Sequence, residues 1–390
     1  MRRLLVFNDQ ILFYDGNNYS SQDPFVGFIA EARKYFDRVT LLSRVVRQQG
    51  SPHMPLPEFF EVRELPFYKN IPDLYLKFPS FYPALSEIAG SLSGCCDFFW
   101  LNFAHPVSAM IMKEPGAAGK AFSLVRGNYM LDAYYKNSGL MKYPAFLSAL
   151  FAERYYVRLS RKTRAPLFAV GRSLSARYSA MGLDVTTIYP TLVSGKEALD
   201  FSSLKRDYDF SGRPVKLLYM GRLSREKGVV NLIDVLGEVV KKKKEVHLTV
   251  VGEGDEKERL LERARELDLE DKVTLAGSSF PRSAIYNFFR DNDIFVLPSL
   301  TEGFPQVILE ALLFGMPIVS TDAGSVRDVL EDGRNSFVVK RGDSRAMAER
   351  ILAFIENPPL AEKFGSHSRE RVSGMTMEAE AGKIFNKIIS

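Results

Sequence analysis

Short apolar runs alternate with longer amphipathic stretches along the second half of this 390-residue chain. The runs have the length of buried parallel strands, and the stretches between them repeat apolar residues at helical spacing. Strands are predicted at six places: Lys216–Met220, Val246–Val251, Val273–Ala276, Ile294–Leu297, Ile318–Thr321 and Phe337–Val339. Such alternation predicts a doubly wound parallel sheet, so the fold class is α/β.

Helices are predicted between these strands, at Val229–Val240, Asp255–Leu267, Pro281–Arg290, Pro305–Phe314, Ser325–Glu331 and Ser344–Glu356. The first half of the chain is less regular. Its strand candidates are Leu4–Phe7, Val39–Ser43, Phe98–Phe103, Ala121–Val125, Leu167–Val170 and Val185–Tyr189, with a helix predicted at Pro24–Phe36. This half is therefore predicted to form a second domain of the same kind.

These patterns divide the chain into an N-terminal Rossmann-like domain (1–198) and a C-terminal Rossmann-like domain (214–375). The segment 199–213 is rich in Ser, Asp, Lys and Arg and is predicted to be a linker. Residues 376–390 are predicted to form a helix that crosses back to the N-terminal domain.

Composition narrows the functional classes. With 46% hydrophobic and 25% charged residues, the chain is an ordinary globular protein. No run approaches the ~20 apolar residues of a membrane-spanning helix. The only cysteines are the adjacent Cys95 and Cys96, which favour a reducing compartment over a disulfide framework. Residues 1–195 carry a net charge of +7, from 22 Lys and Arg against 15 Asp and Glu, and the remaining residues carry −2, which together give the net charge of +5.

Two carboxylates flank a predicted strand-to-helix turn in the C-terminal domain. Glu302 follows the strand Ile294–Leu297, at the end where open α/β sheets bind ligands, and Glu310 lies about two turns into the next helix. Pro305 suits the first turn of that helix. Any surface helix carries Glu residues, so this pair alone leaves a functional and a structural interpretation open.

A second segment, Gly221-Arg222-Leu223-Ser224-Arg225-Glu226-Lys227-Gly228, follows a predicted strand and opens a helix. Glycines permit tight turns and close approach of the backbone. Arg binds phosphate oxygens with two parallel bonds and Lys adds a compact charge, so the segment suits a diphosphate. Solvated cations beside a turn are the alternative when this segment is taken alone.

Together these segments resemble the donor-binding domain of the retaining glycosyltransferases of family 4, also called glycosyl transferases group 1, which have the GT-B fold. The resemblance continues through Val251-Gly252-Glu253-Gly254, Asp293–Ser299, Gly315–Val319 and Asp332-Gly333-Arg334-Asn335. It departs from the family at Asp322-Ala323-Gly324, where a second glycine is usual. The resemblance implies two Rossmann-like doubly wound domains facing across a cleft.

The resemblance also implies roles for individual residues. Arg222 and Lys227 would bind the donor diphosphate and stabilise the leaving group, Glu302 would lie near the transferred sugar, and Glu310 would accept hydrogen bonds from the ribose. The remaining donor-binding candidates form the backbone around them: Gly221, Gly277, Gly303, Phe304, Pro305 and Gln306. No metal and no cofactor is expected, because the two cations replace a divalent ion.

In the N-terminal domain the family usually has a glycine-rich loop after the first strand. Here Gly16 is the only candidate for a contact with the nucleotide-sugar donor, and the alternative is that Gly16 belongs to an ordinary turn. A His commonly follows a strand of this domain, and His105 is the catalytic candidate, although Asn102 has the matching offset. His105 as a turn residue is the other interpretation. Asn102, near the end of the predicted strand Phe98–Phe103, and Arg126, which follows the predicted strand Ala121–Val125, are candidates for acceptor binding.

Three other patterns in the sequence bear on metal, membrane and nucleic-acid binding. Asp207/Asp209 and Asp291/Asp293 look like metal motifs, but no convergent partners accompany them. The basic segment 154–164 suits contact with an anionic membrane, although a solvated helix packed on its own domain explains it as well. No recognition motif supports nucleic-acid binding.

The sequence therefore predicts a retaining, metal-independent hexosyltransferase. Its partners would be a nucleotide-sugar donor and a glycan, lipid-linked or small-molecule acceptor in polysaccharide, glycolipid or glycoconjugate biosynthesis. The predicted location is the cytoplasm, peripheral at the inner face of the membrane. A sugar-nucleotide isomerase, a phosphorylase and a non-catalytic nucleotide-sugar binding protein remain as alternatives.

Overall fold

A computed structural model describes residues 1–48, 54–130, 142–243, 245–278 and 280–390. Within these ranges the chain forms two compact units. The first comprises residues 1–130, 142–192 and 377–390, and the second comprises residues 193–376. No helix in the described ranges is both long and apolar enough to cross a membrane.

The first unit is built on a mixed sheet whose central strands are parallel. Its strands are β1 Arg3–Phe7, β2 Ile11–Tyr14, β3 Tyr19–Ser21, β4 Arg38–Arg47, β5 Met54–Pro55, β6 Phe60–Leu65, β7 Phe98–Asn102, β8 Ala121–Val125, β9 Leu167–Val170 and β10 Val185–Ile188. The order is β10-β9-β8-β7-β1-β4-β2-β3-β5, and β6 also pairs with β4. The carboxyl ends of β8, β7 and β1 are therefore neighbours.

Helices cover both faces of this sheet. In the first unit they are α1 Phe25–Ala30, α2 Ile71–Cys95, α3 Pro106–Lys113, α4 Lys142–Thr163 and α5 Arg172–Ala180. Apolar side chains of α2, α3, α4 and α5 pack with one face of the strands into a single core. Phe25, Phe28 and Trp100 form aromatic contacts on the opposite face.

The second unit is a six-stranded parallel sheet, as the spacing predicts. Its strands are β11 Val215–Met220, β12 Val246–Val251, β13 Val273–Gly277, β14 Ile294–Leu297, β15 Ile318–Thr321 and β16 Phe337–Val339, in the order β13-β12-β11-β14-β15-β16. Its helices are α6 Gly195–Ser202, α7 Asn231–Val240, α8 Lys257–Glu266, α9 Arg282–Asp291, α10 Gln306–Leu313, α11 Ser344–Glu356 and α12 Pro358–Val372. The predicted GT-B class, α/β with two Rossmann-like units, is confirmed.

The predicted linker 199–213 runs along the second unit. It begins inside α6, and the apolar rings of Tyr208 and Phe210 are buried. Arg206 donates to the carbonyl of Asn292 at 2.6 Å, so polar residues that looked like a solvated linker are bonded within this unit.

The C-terminal helix α13, Met377–Ile389, packs on the first unit. Phe385 contacts the rings of Tyr35 and Trp100, and the carboxylate of Glu380, 1% exposed, accepts from the amide of Tyr189 at 2.8 Å. An apolar face and one buried carboxylate thus hold this helix in place.

Candidate functional site

The site in the second unit forms where the loops after two adjacent strands meet. β11 and β14 are neighbours in the sheet, so the residues that follow each strand lie at the same carboxyl edge. Arg222 and Lys227 follow β11, and Glu302 follows β14. These three predicted site residues are therefore brought together by the topology.

A short ion pair joins the two loops. The Nζ atom of Lys227 lies 2.6 Å from Oε2 of Glu302, and the hydroxyl of Ser299 donates to Oε1 of the same carboxylate at 2.6 Å. The side chain of Glu302 is 5% exposed, whereas that of Lys227 is 19% exposed. Glu302 is consequently fixed on both oxygens, and the lysine beside it retains access to the surface.

Backbone contacts fix the spacing of the same loops. The amides of Leu300 and Thr301 both donate to the carbonyl of Glu226. Gly228 has φ +62, and a Cβ atom there would lie 2.4 Å from the carbonyl oxygen of Pro298. Only glycine allows this approach without strain, so Gly228 sets the distance between Lys227 and Glu302.

We expect Gly228→Ala to destabilise the second unit by about 2–4 kcal/mol, because it combines an unfavourable φ with a backbone clash. Gly342→Ala is the matched control, since Gly342 has φ +75 but no atom within 4 Å of the added Cβ. That control should cost only about 1 kcal/mol. Chemical unfolding of both variants measures the difference, and equal losses would contradict the role given to Gly228.

Gly324 performs a similar function on the other side of Glu302. It has φ +60, and an added Cβ would lie 2.1 Å from the carbonyl oxygen of Glu302. The amide of Ser325 donates to the carbonyl of Gly303 at 3.0 Å. The glycine that this chain keeps after β15 therefore supports the loop that carries Glu302.

Arg222 differs from Lys227 because its side chain is 68% exposed. Its nearest acidic partner is Glu226, at 3.7 Å. Its backbone is held, since its carbonyl accepts from the hydroxyl of Tyr219 at 2.9 Å, and Gly221 leaves room for that hydroxyl. The guanidinium is thus anchored at its base while its head reaches solvent.

The N-terminus of α10 lies directly after Glu302. Pro305 is the N-cap residue and places no side-chain hydrogen bond over the first turn, which begins at Gln306. Amides at a helix N-terminus carry partial positive charge and bind anions. Gly303, Phe304 and Pro305 connect Glu302 to this helix, and Gln306 is its first residue.

Glu310 is the most electrostatically perturbed carboxyl of the site. Burial raises the pKa of Glu310 to about 7, and this shift is opposed by the charge of Arg282 and reinforced by that of Glu197. Arg282 itself donates to Glu197 at 3.2 Å, as does the hydroxyl of Tyr286 at 2.8 Å. The cation whose charge lowers the pKa of Glu310 is thus already paired with another carboxylate.

Gly277 lies away from Arg222, Lys227 and Glu302. It ends β13, the outermost strand, which β12 separates from β11. Its carbonyl accepts from the amide of Gly252 at 2.8 Å. The structure thus places Gly277 at the same edge of the sheet but two strands away from Arg222 and Lys227.

In the first unit the structure places Gly16 differently from the prediction. The loop after β1 consists of Asn8, Asp9 and Gln10, and Gly16 lies in the turn of the β2–β3 hairpin. Asp15 accepts from the amides of Asn17 and Asn18, which is an Asx turn with glycine at φ +107. The turn interpretation therefore describes Gly16.

His105 also has a different environment from the predicted one. Its ring is 4% exposed, and Nδ1 accepts from the amide of Val107 as the N-cap of α3. Nε2 lies 3.4 Å from Asp9 and 3.4 Å from the hydroxyl of Tyr68. Both ring nitrogens face protein groups, so the geometry favours a structural role over a catalytic one.

Asp9 is the centre of that cluster. Burial alone raises its pKa, but hydrogen bonding and charge from His105, with the charge of Arg44 and the Tyr68 hydroxyl, lower the pKa of Asp9 overall. Tyr68 donates to it at 2.7 Å and Arg44 lies at 3.1 Å. A charged network therefore organises the carboxyl end of β1.

The acceptor candidates lie on neighbouring strands of the first sheet. Asn102 ends β7 and accepts from the hydroxyl of Tyr129 at 3.3 Å. Arg126 follows β8, lies 3.6 Å from Asp23 and covers the ring of Phe25 at 4.5 Å. The two residues share the carboxyl edge of the sheet.

The aspartate pairs have partners inside the second unit. Asp293 accepts two bonds from Arg213, at 2.8 and 2.9 Å, and one from the amide of Lys216. Asp207 and Asp209 each accept from a backbone amide two residues ahead. These contacts give three of the four aspartates a role in local structure.

Sequence reasoning missed the residues that support the site. Ser299 and Glu226 hold the Glu302 loop, whereas Glu197 and Arg282 form the ion pair near Glu310. Ser299 lies between the apolar strand Ile294–Leu297 and Glu302, so its place at the end of a strand could be seen in the sequence. The contact between Glu197 and Arg282 spans 85 residues and left no pattern in the sequence.

The second unit matches a known family. Residues 200–371 match the model of the glycosyl transferases group 1. An uncharacterised glycosyltransferase of Haemophilus influenzae is 34% identical over 155 residues, which are 39% of this chain and 43% of that protein. The capsular polysaccharide biosynthesis glycosyltransferase CapM of Staphylococcus aureus is 30% identical over 161 residues, 40% of each chain. The matches thus span less than half the length of these relatives.

Solved structures extend the likeness to the whole chain at the level of fold. Sucrose-phosphate synthase of Thermosynechococcus elongatus has a TM-score of 0.74 at 16% identity, covering 100% of this chain and 99% of that one. HepE of Anabaena, solved with UDP and glucose, has a TM-score of 0.72 at 19% identity, with 100% of both chains covered. Residues 200–371 of this chain are therefore similar to the glycosyl transferases group 1, and the whole chain shares its fold with these solved structures.

Proposed function

We propose that this protein is a retaining glycosyltransferase, which moves a hexose-type sugar from a nucleotide-sugar donor to a hydroxyl acceptor in polysaccharide, glycolipid or glycoconjugate biosynthesis. The family match of residues 200–371 and the curated glycosyltransferase relatives support it. HepE, which shares the fold, was solved with UDP and glucose, which makes a UDP-sugar the first donor to test.

The observation that carries the proposal is the group Arg222, Lys227 and Glu302 beside the N-terminus of α10. Two cations and the positive end of a helix lie at the same edge of the sheet, and the buried carboxylate of Glu302 is paired with one of the cations, Lys227. This arrangement suits a ligand that is anionic at one end and carries hydroxyls at the other.

In the proposed reaction the bond between the anomeric carbon and the donor diphosphate breaks. Negative charge develops on the departing oxygen, where Arg222 and Lys227 stabilise it. The acceptor hydroxyl attacks the same face of the sugar and passes its proton to the leaving phosphate. The two cations supply the charge that a divalent ion would otherwise provide, so we propose that the reaction is independent of metal.

Binding of the donor would rearrange the ion pair that the structure describes. Lys227 is bonded to Glu302 at 2.6 Å, and a diphosphate would compete for that lysine. Glu302 would remain fixed by Ser299 and would then accept hydrogen bonds from sugar hydroxyls. The buried position of Glu302 thus favours contact with the sugar over contact with solvent.

Glu310 is proposed to accept hydrogen bonds from the ribose hydroxyls, which requires its ionised form. Burial raises the pKa of Glu310 to about 7, so this carboxyl is protonated in most molecules below pH 7. Binding of the donor at such a pH therefore requires Glu310 to lose its proton first. We expect the affinity for a nucleotide sugar to fall about tenfold between about pH 8 and pH 6.

Titration calorimetry with a UDP-hexose measures this pH dependence, because the diphosphate diester does not itself titrate in that range. Glu310→Gln is the control, and its weaker affinity should change little with pH. Affinity of the wild type that stays constant across the range would contradict the role of Glu310.

The proposed partners are a nucleotide-sugar donor and a glycan, lipid-linked or small-molecule acceptor, with Asn102 and Arg126 on the acceptor side. Segment 154–164 is proposed to contact an anionic membrane. The proposed location is the cytoplasm, at the inner face of the membrane.

A thermal-shift screen with UDP-, GDP- and ADP-sugars, followed by product analysis with and without acceptor hydroxyls, tests the function. The proposal expects stabilisation by one donor and a glycoside product that forms only with acceptor. Conversion of the donor without acceptor would favour an isomerase, and a requirement for free phosphate would favour a phosphorylase.

A further inference from the structure

Three helices of the second unit meet at an aromatic cluster, formed by Phe201 on α6, Tyr286 on α9 and Phe314 at the end of α10. The ring centroids of Phe201 lie 4.8 Å from those of Tyr286 and 4.5 Å from those of Phe314. The rings of Tyr286 and Phe314 are 5.7 Å apart. Each ring therefore contacts both others, which fixes the facing sides of the three helices.

A charged residue precedes each of these rings by four positions: Glu197 on α6, Arg282 on α9 and Glu310 on α10. Side chains four positions apart in a helix lie on the same face, one turn apart. The amide of Phe314 donates to the carbonyl of Glu310, so this spacing also holds at the end of α10. Each charged residue thus lies on the side of its helix that faces the cluster.

The guanidinium of Arg282 has two carboxylates near it and bonds only one of them. Its Nε atom donates to Oε1 of Glu197 at 3.2 Å. Its Nη2 atom is buried and has no hydrogen-bond partner in the described part of the chain. The charge of Arg282 nevertheless acts on Glu310 and lowers its pKa against the effect of burial, whereas the charge of Glu197 raises it. Arg282 therefore retains a donor while its charge serves both carboxylates.

Glu197 is held independently of Arg282. Its Oε2 atom accepts from the amide of Ser194 at 2.8 Å and from the hydroxyl of Ser194 at 2.9 Å, in the capping box that begins α6. Burial raises the pKa of Glu197, but the bonds from Ser194 and Tyr286 and the charge of Arg282 lower it overall. Glu197 is consequently a fixed negative charge beside Arg282 at neutral pH.

Other ionisable groups around α10 do not replace this pair. Arg206 and Arg369 both donate to the carbonyl of Phe314, at the C-terminal end of the helix. Burial raises the pKa of Tyr286, so its hydroxyl stays neutral. Among the described residues, Glu197 and Arg282 are thus the charges that act on Glu310 from the neighbouring helices.

We propose that Glu197 and Arg282 are positioning residues of the donor site, which set the charge of Glu310 from the two helices beside it. The inference rests on the proposed function, in which ionised Glu310 accepts hydrogen bonds from the ribose. Arg282 favours the ionised form, and Glu197 opposes it both by its own charge and by bonding Arg282. Their balance sets the pH above which the nucleotide sugar binds.

Calorimetric titrations with UDP-glucose between about pH 6 and pH 8 test these roles through the midpoint of the pH dependence of Kd. Arg282→Gln should move the midpoint to higher pH by about 1 pH unit, and Glu197→Gln should move it to lower pH by about as much. The side chains are 34% and 27% exposed, so both variants should fold. Arg282→Lys keeps the positive charge and should keep a midpoint close to that of the wild type.

The matched control is Arg290→Gln, which removes an exposed positive charge from the same helix and should leave the midpoint unchanged. Opposite shifts separate the proposed role from a structural one, because loss of an ion pair affects both partners alike. Midpoints that move in the same direction in Arg282→Gln and Glu197→Gln, or that do not move, would overturn the inference.

The midpoint of Glu310 can also be measured without a donor, by carbon NMR of its carboxyl group in the ligand-free protein. The signal is assigned by its loss in Glu310→Gln, and its midpoint should shift as the midpoint of Kd does. Failure of the wild type to bind UDP-, GDP- or ADP-sugars at any pH would reject the proposed function. The NMR midpoints would still show whether Glu197 and Arg282 act on Glu310 in opposite directions, and equal directions there would overturn their assignment.

Discussion

Replacement of Arg222 or Lys227 by alanine is expected to lower the rate of sugar transfer about 10²–10³-fold. Each replacement removes a positive charge that is positioned, before the reaction begins, to stabilise the negative charge on the leaving group. Arg222→Ala should do so with a change in unfolding free energy within about 0.5 kcal/mol, since the side chain is 68% exposed. Initial rates of nucleotide release in the presence of acceptor measure the loss.

The matched control for Arg222 is Arg225→Ala, which removes the same charge from the same turn. Arg225 is exposed and has no role in the proposed chemistry. Rates of Arg225→Ala should stay close to those of the wild type. A loss of rate equal to that of Arg222→Ala would show that only the general charge of the turn matters.

Lys227→Ala has a second effect, which must be separated from the first. It leaves the carboxylate of Glu302, 5% exposed, without its cation and is expected to cost roughly 1–3 kcal/mol of stability. Lys227→Gln retains a donor for Glu302 and should recover part of that stability, but it should not recover transfer. Recovery of the rate by glutamine would contradict a role for the charge in stabilising the leaving group.

Substitutions of Glu302 and Glu310 are expected to affect different kinetic parameters. Glu302→Gln should chiefly lower kcat, by about tenfold or more, because the carboxylate faces the sugar and its contacts strengthen as charge develops there. Glu310→Gln should chiefly raise the KM or Kd for the donor, because the ribose does not change during the reaction.

Steady-state kinetics with varied donor at fixed acceptor separate the two effects. Glu362→Gln, a substitution on α12 in the same unit, is the control for loss of one negative charge. Equal changes in kcat and KM for Glu302→Gln and Glu310→Gln would contradict the division of roles.

The strands of the second unit could be predicted because the strands of a parallel sheet covered on both faces are continuous apolar runs in the sequence. Ile294–Leu297, Ile318–Thr321 and Phe337–Val339 match the observed bounds. The predicted helix Ser325–Glu331 is only a single 3₁₀ turn, Val326–Asp328, because the chain there bonds back to the Glu302 loop.

The first unit was harder to predict because its signals are mixed. Helix α2 contains Pro79 and Pro83, which disguise its period, and β6 alternates buried and solvent-facing residues along the edge of the sheet. The β2–β3 hairpin occupies the segment that contains Gly16, for which the sequence leaves a donor contact and an ordinary turn as alternatives. Local pattern therefore left several elements of this unit unassigned.

In the candidate site, the positions of residues after strands could be predicted from the sequence, whereas contacts between residues far apart in the chain could not. Arg222, Lys227 and Glu302 could be named from their places after strands, since adjacent parallel strands present their carboxyl ends together. The bond between Lys227 and Glu302 spans 75 residues and required the structure. His105 shows the converse, because the sequence gives its place after a strand but not the contacts of its two ring nitrogens.

A calorimetric titration of the wild type and Lys227→Gln with UDP, GDP and ADP tests the diphosphate site most directly. We expect one of these diphosphates to bind the wild type and the substitution to weaken its binding by about tenfold or more. Binding of none of the three, or equal affinity in the wild type and the variant, would contradict the assignment of this edge of the sheet as the diphosphate site.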